Sequence, residues 1–100
     1  MQGILMKQFY VHVQPFEATT EQVEKFKEIM KVFRYFDFII SDEIEYQLPP
    51  GGFVGKSSAE CKHIVDQTFS IANTAGFNAY IFVCEFSKSS DLLGAYGIRP

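Results

Sequence analysis

Phe9, Val11 and Val13 alternate with Tyr10, His12 and Gln14. A period of two predicts a half-buried strand with one apolar face. Pro15 is expected to end it, because proline has no N–H to give to a sheet ladder. The period then changes. Val23, Phe26, Ile29, Met30 and Phe33 recur at helical spacing. Thr19 with Gln22 three residues on forms a capping box. Acids lead and bases trail along the polar face, as the helix dipole favours. The spacing predicts a helix over 20–34. Phe36 to Ile40 reads as a second strand that runs on through 41–47 with a bend or bulge. Pro49-Pro50-Gly51-Gly52 is a turn by composition, and Phe53-Val54 a short third strand. Ser57 with Glu60 repeats the capping-box spacing. It opens a second helix whose inner stripe is Cys61, Ile64, Val65, Thr68 and Ile71. Gly76 suits a left-handed helix end. Residues 78–86 form a fourth strand, apolar on both faces and expected to be covered on both.

The order βαββαβ predicts an α+β, ferredoxin-like domain over 1–100, with two helices on one face of a four-stranded antiparallel sheet. Its first and third strands would be central. The opposite face would be free for a partner or ligand, presenting Tyr10, His12, Gln14 and alternate residues of 79–86. The ends, 1–6 and 87–100, read as flexible or partner-pairing. The apolar positions Leu92 to Ile98 can supply an extra C-terminal strand.

Composition adds a constraint on that free face. The chain has 100 residues, 47% hydrophobic and 21% charged, which is ordinary for a globular domain. Eleven Phe and five Tyr without a Trp are more rings than one small core readily hides. A homodimer is the expected use of the excess. The net charge of -3 argues against a large nucleic-acid footprint, and no duplex DNA is expected. Cys61 and Cys84 lack metal-ligand spacing. No apolar run approaches the ~20 residues of a membrane span, and Ile4-Leu5-Met6 is too short for a signal segment. A cytoplasmic chain with two free thiols is expected.

Candidate chemistry is sparse. Glu17 follows the first strand directly, and a carboxylate at a strand end can hold Mg²⁺ and help activate water against a phosphodiester. His12 and His63 are the two histidines; as base and acid they would suit metal-free RNA cleavage. Arg34 and Lys31, at the first helix end, can contact phosphate or simply complement the dipole. Gly52-Phe53-Val54-Gly55 loosely matches the ring-bearing strand of an RNA-recognition motif, with Tyr10 as a second stacking ring. Packing against a second subunit is the alternative fate of both rings. Gly51 to Ser57 lacks the spacing of a phosphate loop, since Pro50 stands where the first glycine is needed.

Several of these features combine into a resemblance. Phe9 and Val11 lead to Phe16-Glu17, then a helix with Phe26, Phe38-Ile39-Ile40, Asp42-Glu43, Gln47-Leu48, and Phe53 before a second helix. Over 9–66 this resembles the GhoS-like antitoxins, which share their fold with VapD and the small CRISPR-adaptation nucleases. The resemblance implies a small dimeric protein that cleaves messenger RNA as an endoribonuclease. It would place Glu17 as the metal-binding acid and Lys27 and Lys31 as basic helix residues facing RNA. The catalytic candidates are thus Glu17 and His12, with Tyr10, Lys27, Lys31, Arg34 and Phe53 on RNA and Mg²⁺ as the metal. A second class fits the acidic, ring-rich chain equally: a non-enzymatic protein-binding inhibitor or immunity-type module of a phage or mobile element.

Overall fold

The computed structural model describes residues 6–87. The expectations for the ends, including the extra C-terminal strand, fall outside the described residues except at Met6 and Ser87. The elements in order are β1 (Lys7–Phe16), α1 (Thr20–Val32), β2 (Phe38–Ser41), β3 (Ile44–Gln47), β4 (Gly52–Ser57), α2 (Cys61–Ala75) and β5 (Asn78–Phe86). They form an antiparallel three-stranded sheet in the order β4-β1-β5 and a separate β2-β3 hairpin.

This corrects the expected four-stranded ferredoxin-like sheet: the fold is α+β, and the described residues form five strands in two sheets. The segment read as one bent strand over 36–47 folds back on itself instead. Asp42 and Glu43 both take left-handed backbone conformations, φ 51° and 65°, and Ser41 pairs with Ile44 across them. That is the geometry of a two-residue hairpin turn. The two strands of the hairpin pair with each other along their inner edges. Among the described residues, the backbone link from this segment to the main sheet is Phe36, through two hydrogen bonds of 2.8 and 2.9 Å with Val54.

β1 passes through Pro15 and ends at Phe16, a second correction. The N–H of Val13 donates to Gly51 on the β4 side. N–H direction alternates along a strand, so the nitrogen of Pro15 faces that same side, beyond the last β1–β4 pair at His12 and Gly52. No ladder bond is lost there, which is where a strand tolerates proline.

One face of the sheet is sealed by both helices. Phe9, Val11 and Val13 from β1 meet Phe26 and Met30 of α1 and Ile64, Ile71, Ala72 and Ala75 of α2. Phe26 stacks edge-on against Phe53 and Phe77 at centroid distances of 5.6 and 5.4 Å. Each of the Phe, Val, Ile and Met side chains here contributes roughly 1.5–3 kcal/mol by leaving water. The Thr19–Gln22 capping box forms as the spacing predicts. The Gln22 amide also donates to the Gly76 carbonyl, joining the start of α1 to the end of α2.

The Ser57 cap does not form. Ser57 ends β4, paired with Lys7. Its Oγ accepts from the Ala59 N–H instead, and α2 starts after Glu60 without a side-chain cap. Phe33, expected in the inner stripe of α1, lies past the helix end and is exposed.

Candidate functional site

The back of the sheet, away from the helices, is divided. One half is covered by the hairpin. Ile39 and Leu48 bury Tyr10 to 3% exposure, with Tyr46, Val54, Cys84 and Phe86 around them. Among the described residues nothing covers the other half. Tyr80 and Phe82 of β5 are 66% and 61% exposed, and Phe16 is exposed beside them. The Phe16 and Tyr80 rings lie 5.5 Å apart. The expectations that β5 is covered on both faces and that Tyr10 is presented are therefore corrected, while Gln14 is exposed as expected.

His12 stands at the boundary between the halves, half-buried and across from Phe82. Its Nδ1 lies 2.9 Å from the Tyr10 hydroxyl, a contact that fixes the ring. Glu17 is exposed at the end of β1, in a left-handed conformation (φ 53°). It shares a surface depression with Phe16, Asn73, Gly76, Phe77 and Asn78. Among the described residues no group of three His, Cys, Asp or Glu gathers around it or elsewhere in metal-binding geometry. His63 is exposed on α2, a helix of the opposite layer.

The expected RNA contacts are not brought together. Phe53 is 3% exposed and faces the helices, whereas Tyr10 lies beneath the hairpin on the other face. Neither ring offers a face to a base. Lys27 and Lys31 are on α1, and Lys27 lies 3.5 Å from Glu24. Cys61 and Cys84 are free and half-buried. They pack in different clusters, one on each side of the sheet. Burial pushes the Cys84 thiol up from its ordinary range, and the charge of Cys61 acts in the same direction.

Sequence reasoning missed two features. The first is the outer edge of β5. Gln14, His12 and Tyr10 point their backbone groups toward β5, since Val13 points away to Gly51. By alternation the backbone groups of Ala79, Ile81, Val83 and Glu85 face outward along an edge that no described strand covers. Natural edges are usually guarded by charges, proline or bulges; within β5 the one charged residue is Glu85.

The second is a groove of about 730 Å³ between the hairpin, the end of α1 and the β4 end of the sheet. Phe33, Phe36, Phe38, Ile40, Val54 and Phe86 give it apolar walls, and Arg34 and Lys56 also line it. The signal for the first lay in the uncharged run of 78–84. The second depends on where the hairpin falls, which no local pattern states.

Among the described residues no helix is long and apolar enough to cross a membrane. No protein-family model matches the chain, and no solved structure matches it. A protein of Escherichia coli (strain K12), described as uncharacterized protein YmfI, is 52% identical over 89 residues, spanning 88% of this chain and 79% of its own. With that identity sustained over most of both sequences, the chain belongs to the YmfI family.

Proposed function

We propose that the chain is a non-enzymatic protein-binding module, of the inhibitor or immunity type, that captures its target by strand addition to β5. The nine-residue edge, uncharged except at Glu85, with Tyr80 and Phe82 beside it carries this reading. Main-chain hydrogen bonds would supply affinity and the exposed rings selectivity. Without a target, the same edge pairs with a second copy about a two-fold axis, which makes a homodimer.

The test is sedimentation velocity across a concentration series. Tyr80→Lys with Phe82→Lys guards the face, and Val83→Pro removes an outward N–H without touching the β1 ladder. The wild type is expected to dimerise and each variant to remain monomeric while folded. A wild type that stays monomeric, or a dimer indifferent to these changes, overturns the reading.

A GhoS-like RNA-cleaving antitoxin is the second reading. It is favoured by the exposed Tyr80 and Phe82 next to His12, since sheet-face rings can stack unpaired bases. Total RNA incubated with and without Mg²⁺ would be cut by the wild type and spared by His12→Ala or Glu17→Ala. Intact RNA in every lane removes it.

A further inference from the structure

The two helices end in the same way with different residues. After α2, Gly76 is left-handed (φ 99°); its N–H reaches Asn73, and the next N–H, from Phe77, returns to Ala72 at 3.0 Å. After α1, Arg34 is left-handed (φ 65°); its N–H reaches Lys31, and the N–H of Tyr35 returns to Met30, both at 2.9 Å. Both are Schellman endings, in which the left-handed position is ordinarily glycine. In each the following aromatic, Phe77 or Tyr35, is buried in the core. The backbone at 34 therefore favours glycine, and the chain has arginine.

What arginine adds there is a cation at the rim of the 730 Å³ groove. Lys56 lines the same groove, and none of its lining residues is acidic. Among the described residues neither cation has an ion-pair partner; the ion pair found is Lys27–Glu24. This cationic rim stands on a chain of net charge -3. The volume falls in the ~300–1,000 Å³ range of small-molecule sites. Apolar walls with a few convergent polar groups are the usual make-up of such sites. Gly55 contributes as well: a Cβ there would collide with the Tyr35 ring and crowd the Arg34 carbonyl, so the glycine lets the helix end sit close to β4.

We infer that the groove binds a small amphipathic acid, an apolar body with one carboxylate, lying between the hairpin and β4 with its head on Arg34 and Lys56. The guanidinium takes the carboxylate through two parallel N–H donors and the ammonium adds a point charge. Phe33, Phe36, Ile40 and Phe86 enclose the apolar body. The non-glycine residue in a glycine conformation is then explained by use, since strain of this kind persists where a side chain is needed.

Isothermal titration of the full chain with dodecanoate, kept below its micellar concentration, tests this. Dodecanol is the neutral control. The wild type is expected to bind dodecanoate in preference to dodecanol. Arg34→Gln and Lys56→Gln should each weaken dodecanoate by about tenfold or more, and Lys62→Gln, on α2 away from the groove, should not. Arg34→Gly gives the second readout: its melting temperature should rise while dodecanoate affinity falls.

Equal uptake of acid and alcohol would overturn the proposal. So would no uptake at all, including the case in which a terminal segment of the chain already fills the groove. Loss of binding in Lys62→Gln equal to that in Arg34→Gln would do the same.

Discussion

The two faces of the central sheet are built from the same three strands and have different fates. The front is sealed by two helices whose side chains interlock with Phe9, Val11 and Val13. The back is closed over Tyr10 by a hairpin of four-residue strands and left open over Tyr80 and Phe82. Alternation along β1 says that both faces exist. It does not say which neighbour comes to each. The lesson is that a sheet face is made structural or functional by what lies on it.

The largest contrast is between cores. Phe26 is 2% exposed and touches rings on both sides. Phe26→Ala is expected to cost ~3–5 kcal/mol, the range for a buried Phe truncation. Ile39→Ala under the hairpin removes a smaller side chain from a smaller cluster and should cost about 2 kcal/mol, at the low end for its type. Denaturant unfolding measures both. Equal losses would mean the hairpin is as integral as the helices.

Ile39→Ala should also loosen protection of the hairpin amides before global unfolding, which hydrogen exchange reads residue by residue.

The hairpin can be strengthened as well as weakened. Its turn forces left-handed backbone on Asp42 and Glu43, where Asn-Gly is the preferred pair. Asp42→Asn with Glu43→Gly is expected to stabilise by ~1 kcal/mol, because left-handed backbone is costly for residues with a side chain. A chemical-denaturation midpoint that falls instead would show that the two carboxylates have a use of their own.

These same residues explain what was legible in the sequence. Helix starts and ends are local devices, so Thr19 with Gln22 and Gly76 could be read directly. The hairpin carries no glycine at its turn, so 36–47 reads in the sequence as one strand of a four-stranded sheet. Ser57 with Glu60 had the right spacing for a cap, but pairing with Lys7 holds Ser57 in β4. Pro15 reads as a stop because its free side depends on where the β1–β4 ladder finishes, which is the pair His12 and Gly52.

Of the candidate site, the excess of rings pointed to an exposed aromatic surface, and one is present at Tyr80 and Phe82. Tyr80 and Phe82 are among the alternate positions of 79–86 expected on the free face, whereas Tyr10 and Phe53 are buried by tertiary neighbours.

Alkaline pH offers the smallest and most local contrast. Tyr35 sits on the sealed side at 4% exposure, and its hydroxyl is buried without a well-formed hydrogen bond. Burial raises its phenol above the ordinary 10.0, and the Ser57 hydroxyl offsets only part of that. A folded pKa above the unfolded one means that the folded state holds the proton more tightly. The contribution is therefore complete below pH 10.0 and is lost as pH rises through the folded value. Tyr35→Phe removes both the orphan hydroxyl and the titration while keeping the ring against Gly55. Its stability at pH 7 should lie within about 1 kcal/mol of the wild type, because an apolar group of the same shape replaces an unpaired polar one. Between neutral pH and pH 11 the wild type should lose more stability than the variant. Parallel losses in urea titrations at the two pH values would mean that Tyr35 reaches water on that side, and the front of the sheet would then be less sealed than its packing implies.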